Sequence, residues 1–175
     1  MQHAFPPTLI CYDGSSSSRH AITVLSETLA TDKVVVLHCW ERPLVALADS
    51  YSEPGTPVSH SVNGVEARET ARATAVAAEG VELARSHGLN ATMSVQRAEG
   101  EEWRVILTTA DAMDAGLIVV GTRGRTALQD GLLGTSVSSD VLRHSLRPVL
   151  VVPALAGLDS PPSADGTVAL APATH

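Results

Sequence analysis

The sequence predicts an α/β domain: one open parallel sheet of five strands with two helices on each face. Three observations carry that prediction. Short apolar runs rich in β-branched residues, at 34–40, 117–120 and 149–152, read as strands buried on both sides. Longer stretches between such runs repeat apolar residues at helical spacing. The two kinds of segment alternate, which is the pattern of right-handed βαβ units.

Along the chain, residues 8–12 (Thr-Leu-Ile-Cys-Tyr) form the first strand, ended by Asp13-Gly14. Ser15 to Ser18 form a capping cluster, and Ala21, Val24, Leu25, Thr28 and Leu29 then recur as a helix stripe. Lys33 opens the second strand. From 41 to 61 the pattern breaks at Pro43, Pro54, Gly55 and Pro57, a loop of about 20 residues and longer than most connections. It reads either as a poorly ordered loop or as a flap or partner-binding arm. Residues 62–87 form an Ala-rich helix with Ala73, Val76, Ala77, Gly80, Val81 and Ala84 on one stripe, and Gly88 is placed as its C′ residue. Alternation over 90–98 predicts a half-exposed edge strand. After Glu99-Gly100 a third helix carries Trp103, Ile106, Leu107, Ala110 and Met113 and closes at Gly116. The strand at 117–120, a glycine loop, a helix from about 136 to 146 and a last strand after Pro148 complete one domain over 1–153. Residues 154–175 turn to Ala, Pro, Ser, Gly and Thr and read as a disordered tail.

The commonest strand order for such a chain, 3-2-1-4-5, puts strands 1 and 4 together at the switch point where doubly wound sheets bind ligands. Asp13 ends the first of these strands and Gly121 the second. The loop after Gly121 holds Gly124, Gly131 and Gly134 and ends in Thr135-Ser136, hydroxyl residues placed to cap a helix. A strand, a glycine loop and a helix N-terminus make an anion site, because backbone N–H groups can approach an oxyanion and the helix dipole favours it. Arg123 and Arg125 add positive charge, and phosphate is the natural ligand.

The net charge of −7 over 175 residues argues against a general nucleic-acid or membrane-surface binder, which needs a basic face. Cys11 and Cys39 lie within apolar runs, as reduced thiols of a cytoplasmic protein do. Residues 1–7 lack the basic and apolar regions of a secretory signal, and no apolar run approaches the ~20 residues that span a bilayer. Catalytic patterns are scarce. There is no Gly-x4-Gly-Lys-Ser/Thr, no Gly-x-Ser-x-Gly and no ligand-like spacing among the seven histidines.

Gly121, Gly124, Gly134 and Thr135 fit the pattern Gly-x2-Gly-x9-Gly-Ser/Thr, which resembles the ATP-binding signature of the universal stress protein family. Tyr12-Asp13-Gly14-Ser15, the Leu37-His38 ending of the second strand and the closing stretch 141–153 are similar to the same family. The resemblance covers residues 6–153 and implies a Rossmann-like fold of the adenine-nucleotide-binding type. It implies that Asp13 contacts the adenosine end, with Cys39 and Val120 as apolar contacts. Gly121, Gly124, Gly134 and Thr135 would wrap ribose and phosphates. An extra residue before the helix leaves either Thr135 or Ser136 in the hydroxyl position. The ligand so implied is ATP, with Mg²⁺ as an accompanying ion and AMP or cyclic AMP as alternatives. A homodimer through strand 148–153 is implied too, and an unshielded apolar edge strand agrees with it.

Each of these residues also has a plain structural reading. Asp13 suits a turn before Gly14, Arg123 and Arg125 suit a solvated loop, Cys39 suits a small apolar wall, and His38 suits a satisfied core histidine. The sequence therefore points to a nucleotide-dependent regulatory protein of the stress response. Slow ATP hydrolysis or phosphoryl transfer is the enzymatic alternative, and a nucleotide-free interaction protein is the third.

Overall fold

A computed structural model describes residues 6–31, 33–41, 59–122 and 136–154. Its elements run β1 (Thr8–Cys11), α1 (Ser16–Thr28), β2 (Val34–Glu41), α2 (Ser59–Ser86), β3 (Ala91–Ala98), α3 (Glu102–Ala112), β4 (Leu117–Gly121), α4 (Val137–His144) and β5 (Val149–Val152). All neighbouring strands are parallel, in the order β3-β2-β1-β4-β5. Thr8 is level with Val34 on one side and Leu117 on the other, so β1 and β4 are adjacent at the centre. The alternating strand β3 lies at an edge, as its half-polar pattern requires.

Two apolar layers flank the sheet. On one face Ile10, Tyr12, Val34, Val36 and Val119 pack against Ala21, Ile22 and Leu25 of α1 and Val81 and Ala84 of α2. On the other, Leu9, Leu37, Ile118 and Val120 pack against Ile106 and Ala110 of α3 and Val141 of α4. The central strands β1 and β4 are apolar on both sides because each face is covered by a helix pair. Gly80 lets α2 lie close to the sheet: a Cβ there would sit 2.7 Å from the Tyr12 ring and 2.9 Å from Val36.

Helix ends depart from the sequence expectation where hydrogen bonds, not periodicity, set them. Helix α2 begins at Ser59, not at 62, and Gly88 closes it with φ +80°. There Leu89 N–H donates to the Ala84 carbonyl and Gly88 N–H to that of Arg85, a Schellman motif. Helix α3 was expected to close at Gly116 and instead closes through Asp114, at φ +50°. Ala115 N–H donates to Ala110 and Asp114 N–H to Asp111. Short polar Asp tolerates the left-handed conformation, and Arg147 clips the turn by donating to both Asp111 and Asp114. Gly116 has a different role: a Cβ there would lie 2.7 Å from Pro6. The expected loop at 41–61 and tail at 154–175 lie, but for their ends, outside the described residues.

Candidate functional site

Parallel strands put all five carboxyl ends on one side of the sheet, and the helices that follow them start there. Two such starts border the junction of β1 and β4. At α1, Ser15 is the N-cap, and its Oγ accepts from Ser18 N–H at 3.2 Å. At α4, Ser136 is the N-cap, accepting from Ser139 N–H at 3.3 Å. Of the two hydroxyl residues that the sequence offered for this end, Ser136 holds the cap. Thr135 lies outside the described residues, as do Arg123, Gly124, Arg125, Gly131 and Gly134.

Asp13 stands where β1 gives way to α1. One carboxylate oxygen accepts from Ser15 N–H at 3.0 Å and from Ser15 Oγ at 2.6 Å, which fixes the turn through Gly14. The structural role expected of Asp13 is therefore present, and its partly buried carboxylate still faces the carboxyl edge of the sheet. His38 Nδ1 donates to the Tyr12 carbonyl oxygen at 2.8 Å, tying β2 to the same turn.

Gly121 ends β4 against the start of α1. A Cβ there would lie 2.8 Å from Ser17 Oγ and 3.0 Å from the Ser17 backbone carbon. Helix packing alone thus demands glycine at this position. Val120, just before it, is buried in the α3–α4 layer.

Cys39 and Cys11 sit in that layer too. Cys11 is level with Leu37, which puts Cys39 one pleat further along the neighbouring strand and on the same face. Burial pushes both thiols up, and the negative charge of Glu102 adds to the shift in each case. Both are protonated small apolar residues with no thiolate character. Cys39 thus packs as a small apolar residue of the α3–α4 layer.

Glu102 is the residue that sequence reading missed. Because β3 and β4 are parallel, α3 runs back between them and begins at the carboxyl edge. Its first residue is partly buried beside Asp13, Glu41 and the two thiols. Burial, then the charges of Asp13 and Glu41, raise its carboxyl from the usual 4.5 to about 7. Among the described residues it has no hydrogen bond or ion pair, whereas adjacent Glu101 pairs with Arg104 at 2.8 Å. In the sequence, Glu101-Glu102 after Gly100 looks like ordinary acidic residues at a helix start. Only the topology brings the second of them to the crevice.

The structure thus gathers Asp13, Cys39, Val120, Gly121 and Ser136 along one edge and adds Cys11 and Glu102. Among the described residues no group of three His, Cys, Asp or Glu is placed to hold a metal, and no helix is long and apolar enough to cross a membrane.

The model of the family described as "Universal stress protein family" matches residues 5–153. No functionally curated protein matches the chain. Among solved structures, a hypothetical protein, MJ0577, superposes with a TM-score of 0.65 at 22% identity, over 86% of this chain and 97% of that one. A universal stress protein family protein from Arabidopsis thaliana with AMP bound gives 0.59 at 15% identity, covering 86% and 92%. A universal stress protein in complex with cAMP gives 0.55 at 21%, covering 87% and 100%. At these identities the likeness establishes the fold.

Proposed function

Because this chain belongs to the universal stress protein family, we propose that it binds an adenine nucleotide at the carboxyl edge of β1 and β4 and acts as a nucleotide-dependent regulator of the stress response. The observation that carries this reading is the convergence of Asp13, Cys39 and two capped helix starts at the switch point of the sheet. Asp13 and Cys39 take the adenosine end. The α4 start and the glycine stretch through Gly121, Gly124 and Gly134 take the phosphates, with Arg123, Thr135 and Ser136 beside them. ATP is the ligand of choice, since the glycine stretch is long enough to follow a polyphosphate; AMP and cyclic AMP need the same adenosine pocket. Mg²⁺ would enter on the phosphates, as no described cluster would hold it alone.

Regulation rather than efficient turnover fits the chemistry. The P-loop lysine is absent from the sequence, which leaves no lysine clamp for a γ-phosphate. The proposed homodimer uses β5, an edge strand whose Val149, Leu150 and Val151 are only partly covered. Leu142 and Leu146 stand 57% and 103% exposed nearby, apolar surface that a second copy would bury. Two unpaired cysteines suit the reducing cytoplasm.

Mass spectrometry of the denatured, freshly purified protein for retained nucleotide, followed by calorimetric titration with ATP, ADP and cyclic AMP, tests the reading. Bound ATP or micromolar affinity is expected. Gly124→Val should abolish it with the fold intact, because a side chain blocks the backbone approach. Absence of binding to all three nucleotides would overturn the proposal.

A further inference from the structure

Cys11 and Cys39 lie on neighbouring strands, on one face of the sheet and near the carboxyl ends of both. Cys11 is level with Leu37, so Cys39 stands two residues further along β2. Strands about 4.8 Å apart, rising about 3.3 Å per residue, put the two Cα atoms about 8 Å apart. That exceeds the reach of a disulfide, which needs Cα atoms within about 7 Å. It suits a bridge one atom longer. Side chains of a strand lean along its direction, so two sulfurs placed in this way can close to about 5 Å. Two metal–thiolate bonds of about 2.3 Å, laid in line, span about 4.6 Å. Both cysteines are free and partly exposed, and charge on Cys39 is felt at Cys11.

The surroundings narrow the choice of ion. Among the described residues no group of three His, Cys, Asp or Glu is placed to hold a metal, so a cation wanting four ligands, such as zinc, is not satisfied here. Thiolates select soft cations, and a soft cation of d10 configuration is content with two ligands in line. Leu9, Leu37 and Val120 belong to the same layer, and apolar surroundings favour a complex without net charge. Glu102 and Asp13 add negative charge nearby, which disfavours an anionic complex further. A divalent ion with two thiolates is neutral, whereas a cuprous or silver ion would leave a net negative charge.

We propose that Cys11 and Cys39 together form a two-coordinate site for a soft, thiophilic divalent cation of the mercuric kind. Two metal–sulfur bonds form as two S–H bonds break, both protons pass to solvent, and no atom changes oxidation state. The thiols are neutral in the free protein, so uptake strengthens as pH rises. The site does not depend on nucleotide binding.

The test uses the whole reduced protein, with mercuric chloride as the probe and an excess of 2-mercaptoethanol as competitor. Native mass spectrometry should find one mercury per chain, less two protons, with no mercaptoethanol attached. Holding both thiols in one fold makes the second bond intramolecular. The wild type should therefore retain on the order of tenfold more mercury than Cys11→Ser or Cys39→Ser. Any mercury left on those variants should carry a mercaptoethanol. Titration of the wild type without competitor, at constant pH near neutrality, needs no variant: it should saturate at one ion and release two protons for it. Saturation at two ions with one proton each, a wild-type adduct carrying mercaptoethanol, or equal retention by the single variants would overturn the site and leave the nucleotide reading untouched.

Discussion

Two glutamates, one from each helical layer, reach toward the ends of the central strands and meet opposite fates. Glu79, on α2, accepts from Tyr12 Oη at 2.7 Å and pairs with Arg19 of α1. It joins two helices to β1 through groups that are each satisfied, and its position is explained by structure alone. Glu102, on α3, has like charges and thiols for neighbours and, among the described residues, no cation paired with it. Folds ordinarily pair or expose a carboxylate, so one held partly buried without a partner is the better pointer to function. The contrast also separates the two faces: the satisfied glutamate belongs to the α1–α2 layer and the unpaired one to the α3–α4 layer.

Breaking the anchor should have the largest effect. Gly80→Val would drive a branched side chain into the Tyr12 ring and Val36, which are already 2.7 and 2.9 Å from where a first carbon would stand. A loss of about 3 kcal/mol in urea unfolding is expected. A neutral result would mean that α2 can lift from the sheet, and that the anchored face is softer than its packing suggests.

Glu102→Gln should act in the opposite direction, and only at high pH. The folded carboxyl is raised from 4.5 to about 7, so its contribution is fully present below the ordinary value and is lost as pH rises through 7. Replacing it with a neutral amide should therefore change little at pH 5. At pH 8.5 it should stabilise the free protein by about 2 kcal/mol, reduced from the full shift by partial exposure. Thermal melts at both pH values check this. Equal gains at both would mean that packing, not charge, sets the effect.

The sequence made much of this legible. Apolar β-branched runs have one physical use in a doubly wound sheet, so strand order and faces followed from them, and Gly88 marked its helix end because left-handed backbone suits glycine. Asp114 escaped notice because Asp takes that conformation only with support, which comes from Arg147, distant in sequence. Gly121 was readable as a glycine that something needed, and the structure shows that Ser17 of α1 is one reason. Glu102 was invisible for a different cause. Its meaning lies in what β1 and β2 bring beside it, and no local pattern encodes that.

Tyr12→Phe comes next in size. It removes the hydroxyl and leaves Glu79 with Arg19, so about 1 kcal/mol should be lost. Arg19→Ala should cost least. Its side chain and that of Glu79 are 48% and 45% exposed, and a pair so open to water contributes about 0.5 kcal/mol that salt screens further. Urea unfolding of both single variants and the double variant, at low and at 0.5 M salt, decides whether they act separately. Additive losses would mean that Glu79 is held by two independent contacts, and that the anchored face tolerates losing either. A double variant no worse than Tyr12→Phe would make the three residues one unit. The arginine would then matter by orienting the carboxylate for the tyrosine, and a single surface change could loosen β1 beneath Asp13.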